Sequence, residues 1–136
     1  MKLRTLSVIC LLACLAIAVP MIAQQKNAPA DPLTGSWAGD WGPSVQDRNQ
    51  VTVDLKWDAT AKALTGVVKT ANRPEVALSK ASYDAATQTV KMEADARNPR
   101  SGASVKYTIE AKLAGASMTG TWNHDAVKGD FKLTKK

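Results

Sequence analysis

The sequence predicts an all-β chain: a single antiparallel up-and-down barrel of eight strands, with a β-sandwich as the alternative, behind an N-terminal signal peptide. Three observations predict it. Apolar and polar residues alternate with period two through long stretches after residue 32. Turn-forming clusters interrupt that alternation seven times at short intervals. No stretch beyond the leader carries the spacing of an amphipathic helix.

The leader spans residues 1–23. Lys2 and Arg4 precede an apolar run from Leu6 to Ala23, broken by Pro20. Early positive charge followed by an uncharged apolar core is the pattern of a secretory signal, with cleavage expected at Ala23 before Gln24-Gln25. The run is near the length that crosses a bilayer, so an uncleaved anchor is one alternative. Lipidation at Cys14 is another, because Leu11-Leu12-Ala13-Cys14 resembles a lipoprotein cleavage site. Against it, apolar residues 15–19 follow where a polar tether belongs. Cleavage at Ala23 removes both cysteines, Cys10 and Cys14, and with them disulfides and thiol chemistry. The expected location is secreted or periplasmic, with no membrane attachment after cleavage.

Residues 24–32 are polar with two prolines and read as a flexible arm. Residues 33–136 form the barrel domain, long enough to bury one core without staples. Its strands are expected at 33–41, 49–57, 63–70, 75–83, 88–96, 103–113, 116–122 and 128–134. The clearest is Val51-Thr52-Val53-Asp54-Leu55-Lys56-Trp57, apolar at odd positions and polar at even ones, which is a strand with one dry face and one wet face. The run from Val105 to Leu113 repeats the pattern, and Val90-Lys91-Met92-Glu93-Ala94-Asp95 shortens it. The short connections, such as Gly42-Pro43, Asn72-Arg73-Pro74 and Asn123-His124-Asp125, join antiparallel neighbours.

One element recurs: Leu33-Thr34-Gly35-Ser36-Trp37, Leu64-Thr65-Gly66-Val67-Val68 and Met118-Thr119-Gly120-Thr121-Trp122. Glycine weakens a strand interior unless the strand coils sharply or a bulky neighbour needs room. A small barrel needs both, so these glycines read as corners with Trp37 and Trp122 packed inward over them.

The Gly-x-Trp of the first strand resembles the opening of lipocalin and avidin barrels, both eight-stranded. The avidin similarity rests on Leu33-Thr34-Gly35-Ser36-Trp37 with Asp40 and Gly42, and on Ala63-Leu64-Thr65-Gly66 with Thr70-Ala71. It implies a ligand-holding calycin-type barrel. It does not imply biotin: the positions of that family's ureido-binding asparagine, serine and tyrosine fall here on Gly39, Pro43 and Val68. A site that loses its buried hydrogen-bonding partners loses affinity.

Charge excludes little but is informative. The formal net charge of +6 falls by the two charges of Lys2 and Arg4 to +4 once the leader is gone. Lysines and acids interleave along the strands, as on a solvated sheet face, where a nucleic-acid binder carries a one-signed stripe. No nucleic-acid partner is expected. Nor is an enzyme: the barrel has one histidine, His124, read as a solvated turn residue, no ligand set with metal spacing and no phosphate loop. Asp40, Asp54, Glu93, Asp95 and Glu110 take the outward phase. No metal and no cofactor is expected.

The inward phase comprises Trp37, Val53, Leu55, Trp57, Val68, Met92, Tyr107, Ile109 and Trp122. An eight-stranded barrel either fills with side chains or holds one small ligand. Modest residues at Val68, Ala94 and Ala111 leave room for a cavity. The candidate ligand-binding residues are therefore Trp37, Trp57, Val68, Met92, Tyr107 and Trp122. The leading expectation is a binder of a small apolar or amphipathic molecule. The alternatives are a protein-binding module, such as an inhibitor of a secreted hydrolase that uses the arm, and a structural protein of the envelope. A cavity favours the first; a filled barrel favours the second.

Overall fold

The computed structural model describes residues 31–98 and 100–136. The leader and arm residues 1–30 lie outside the described residues, and with them the cleavage site and Cys14. Eight strands follow in order: β1 Gly35–Gly42, β2 Asn49–Asp58, β3 Ala63–Thr70, β4 Val76–Asp84, β5 Thr89–Arg97, β6 Ser104–Ala114, β7 Ser117–His124 and β8 Val127–Lys135. Each pairs antiparallel with the next, and β8 returns to pair with β1, so the barrel is closed and neither sheet edge survives. The sandwich alternative is excluded. Strand positions match the alternation to within two residues. The largest departures are β1, which starts at Gly35 instead of 33, and β7, which runs on through Asn123 to His124 because residues 125–126 alone make the turn, with Asp125 at φ 49°.

Closure brings backbones unusually close. A Cβ placed on Gly39 would lie 1.8 Å from the Lys132 carbonyl oxygen of β8, and one on Gly120 would lie 2.1 Å from the Glu110 oxygen of β6. At these two positions any side chain collides with a neighbouring strand. Gly120 therefore acts as the expected corner. The room for Trp122, however, comes from Gly129, its cross-strand partner in β8, whose Cβ would meet the indole at 2.6 Å.

The two barrel ends differ. At one end the connections are residues 59–62, 85–88 and 115–116. Two of these turns are built alike: Asp58 accepts the N–H groups of Thr60 and Ala61, and Asp84 accepts those of Ala86 and Thr87. Each ends on a left-handed residue, Lys62 and Gln88. The chain start folds over this end. Leu33 is wholly buried, and the Trp37 indole N–H beneath it donates to its carbonyl at 2.9 Å. Asp31 accepts the N–H groups of Leu33 and Thr34, and the Thr34 hydroxyl accepts the Trp57 N–H. Lys135 reaches the Pro32 carbonyl. The last two residues of the expected arm, Asp31 and Pro32, are thus fastened to the barrel. Below them Leu55, Leu64, Val90, Leu113, Met118 and Leu133 fill the interior, and this end is blind.

The other end carries residues 43–48, 71–75, 98–103 and 125–126. It is the mouth. Arg48 ties its first loop down, hydrogen bonding Asp40 of β1 and Asp130 of β8. On the outer wall Lys69 meets Asp54 at 2.9 Å, Lys106 meets Glu93 at 3.5 Å and Lys91 meets Glu110 at 3.9 Å. Such exposed pairs contribute little stability and mark a solvated face.

Replacing Gly39 with alanine forces β1 and β8 apart and should cost about 2 kcal/mol or more, read as a lower urea midpoint at unchanged slope. Acid should also weaken the fold. Asp54 sits below its ordinary 3.8 because the Ser36 hydroxyl and Lys69 bond to it. Asp84 is lowered by the backbone N–H and hydroxyl of Thr87 and by the Ala86 N–H. Asp31 is pushed up by burial, but its bonds to Thr34 and Leu33 outweigh that and lower it. A carboxylate with a lowered folded pKa contributes stability above its unfolded value and loses it as pH falls through the folded value. Stability by urea denaturation should therefore decline below about pH 4, and Asp54→Asn should remove part of that decline.

Candidate functional site

Behind the mouth the barrel contains a cavity of about 580 Å³. Its existence follows from residue size at fixed phase. Toward the mouth, β2 to β5 turn Val51, Val53, Val68, Thr70, Val76, Ala94 and Ala96 inward, and these side chains are too short to meet across the barrel. The opposite wall is aromatic. Trp41 from β1, Tyr107 from β6 and Trp122 from β7 line it, with Phe131 and Leu133 of β8 below. Met92 and Ile109 complete the wall between the two sides.

Of the candidate residues, the structure brings Val68, Met92, Tyr107 and Trp122 together on this cavity. It places Trp37 and Trp57 elsewhere. Trp37 is sealed under Leu33, and Trp57 packs edge-on against Tyr83 with ring centres 5.7 Å apart, both at the blind end. The alternation gave all six the same inward phase, but phase does not report height along the barrel axis.

Three residues that sequence reasoning left out join the site. Trp41 meets Trp122 at 5.0 Å with planes at 69°. His124 lies inside the barrel instead of in a solvated turn: its ring stacks on Trp122 at 5.8 Å and 11°, and sits 4.6 Å from Tyr107. Its phase, in step with Met118, Gly120 and Trp122, was the available signal. Arg73, in loop 71–75, also lines the cavity and has no such signal.

Trp41, Thr70, Arg73, Tyr107 and Trp122 also border a smaller space of about 250 Å³ at the mouth, lined further by Asp47, Asn49, Gln50 and His124. The site is thus an apolar cup below a polar antechamber, with the aromatic cluster at the boundary. The Trp122 indole N–H donates to the Asp130 carbonyl at 3.3 Å. The Trp41 indole N–H and His124 Nδ1 are shielded from solvent and lack a hydrogen-bond partner among the described residues. A buried donor without a partner costs about 1–3 kcal/mol, so this boundary is the least satisfied part of the interior.

The avidin-like positions are accounted for geometrically. Gly39 faces the β8 backbone too closely for any side chain, and Val68 offers the cup only aliphatic surface. Among the described residues no three His, Cys, Asp or Glu side chains converge as metal ligands. Comparison of the chain with protein-family models, with curated proteins and with solved structures gives no match.

The Trp41–Trp122 pair should give an excitonic signal in far-ultraviolet circular dichroism. Trp41→Phe and Trp122→Phe should each abolish the same couplet, and Trp37→Phe should leave it, because coupling falls steeply with ring separation.

Proposed function

We propose that this protein is an exported binding barrel of calycin type that holds one small apolar or amphipathic molecule in the cup behind its mouth. The single observation that carries the reading is the cavity itself. Its 580 Å³ falls within the usual range for ligand sites, and at about 30 Å³ per water it has room for a molecule of roughly 20 non-hydrogen atoms. A barrel that acted only through its outer surface would gain packing energy by filling that space, and the same alternation would allow it. The blind end supports the reading too, because stability is concentrated there and the mouth is left free for exchange. The N-terminal leader supports export.

Native mass spectrometry of the protein recovered from a periplasm, before and after denaturation, tests this. A non-covalent adduct lost on denaturation is the expected result. Val68→Phe should abolish the adduct while shifting stability by no more than about 1–3 kcal/mol, since the new ring enters open space. An adduct that persists unchanged in Val68→Phe would place the ligand outside the cup and overturn the reading.

A further inference from the structure

We propose that the molecule held by the barrel is an uncharged amphiphile with a polyol head: its apolar tail lies in the cup, and a head with two or more hydroxyl groups fills the antechamber above. The proposal rests on the ligand-binding reading of the cup and adds the chemistry of the occupant's other half.

Five strands each turn one polar group into the antechamber: the Trp41 indole of β1, Asn49 of β2, Thr70 of β3, Tyr107 of β6 and His124 of β7. The register shows that they face inward. Trp41 pairs with Asn49, and Thr70 pairs with the buried Val51, so each shares its partner's face. Tyr107 and His124 meet ring to ring at 4.6 Å. Among the described residues, none of these five side chains makes a hydrogen bond to the protein. The Trp41 N–H and His124 Nδ1 are shut off from solvent as well, although the Asp125 carboxylate stands 3.6 Å from Nδ1. Groups spent on holding the fold together would be bonded to it, so this ring is open to an occupant.

The kinds of group in the ring specify that occupant. An indole N–H only donates, whereas the Thr70 and Tyr107 hydroxyls and the Asn49 amide both donate and accept. They are spread over strands on different sides of the opening, so a single hydroxyl reaches only some of them. A head with several hydroxyls, each a donor and an acceptor, satisfies them together. The antechamber's 250 Å³ holds about eight waters at about 30 Å³ each, which is the scale of a small polyol.

Charge selects neither sign. Arg73 and Arg97 border the cup, and so do Glu75 and Asp95; Asp47 joins Arg73 at the antechamber. A charged head meets attraction and repulsion at the same rim, and an uncharged one meets neither. Below it Val53, Val68, Met92 and Ile109 give the tail a wall without charge, so the orientation is head outward.

The test uses the full chain expressed with its own leader and five probes with ten-carbon tails, each titrated below its micelle concentration against tryptophan emission. Decyl β-D-glucoside and 1-monodecanoylglycerol carry polyol heads, 1-decanol a single hydroxyl, decanoate a negative charge and decyltrimethylammonium a positive one. The expected result is a Kd about tenfold lower, for at least one polyol probe, than for any of the other three, as two added hydrogen bonds would give. Whichever polyol binds tighter tells a sugar head from a glycerol one. In the double variant Thr70→Val/Tyr107→Phe, which removes only two hydroxyls, the Kd of that polyol should rise about tenfold and that of 1-decanol by no more than about threefold. Those hydroxyls bond to no protein group, so the variant's melting temperature should match the parent's, and its 1-decanol binding reports an intact cup. Equal affinity for the polyols and 1-decanol, tighter binding of either charged probe, or an equal rise for polyol and decanol in the variant overturns the polyol head. If 1-decanol binds and Val68→Phe abolishes that binding, the cup reading stands and only the head assignment falls. If no probe binds the parent, both fall.

Discussion

Gly39 of β1 meets the backbone of β8 where no side chain fits, and that contact governs the rest of the molecule. Eight strands form a closed interior only if the first and last can pair along their length. Here the register from Trp37↔Lys135 to Gly42↔Asp130 is continuous. Pairing removes the two exposed edges that an open sheet of this kind would present. It also fixes which residues point inward on all eight strands at once, because a slip of one residue at the β1–β8 seam would turn every inward side chain out.

With phase fixed, side-chain volume decides what the interior becomes. Large residues are gathered at the blind end: Leu33 and Trp37 stack under the chain start, with Leu113, Met118 and Leu133 around them. Toward the mouth the β2–β5 wall is made of valines and alanines, and no ring from the aromatic wall reaches across to it. Packing therefore runs out partway along the axis. One end holds the fold together, and the other keeps a space at whose boundary the Trp41 indole N–H has no hydrogen-bond partner among the described residues and His124 Nδ1 faces the Asp125 carboxylate at 3.6 Å.

The strands were legible in the sequence because period two is a direct imprint of a sheet with one dry face. The runs 51–57 and 105–113 place their strands almost to the residue. Closure was legible only through the Thr-Gly repeats, and there in part: Gly66 and Gly120 mark close approaches, but Gly39 and Gly129, outside any repeat, mark two others. The site was half legible. Val68, Met92, Tyr107 and Trp122 were found from phase, while Trp37 and Trp57 share that phase and lie at the wrong height. Height depends on strand stagger around the barrel, a tertiary quantity that alternation does not encode. His124 was read as part of a turn because Asn-His-Asp has turn composition, yet a two-residue connection freed it for the strand. Arg73 sits in a loop, where no periodicity exists to point it inward.

The blind end has a kinetic consequence. A vessel with a single opening loads and unloads by the same route, and the rim loops stand across that route. On the ligand-binding reading proposed above, residence time depends on how often loops such as 43–48 and 71–75 part. The Arg48 tether restrains the first of these loops, and Asn98 braces the turn after β5 through Arg100, Gly102 and Ala103, which leaves 71–75 to set the tempo. On that reading, sequence changes in loop 71–75 would retune the lifetime of a complex without touching the deeper wall of the cup.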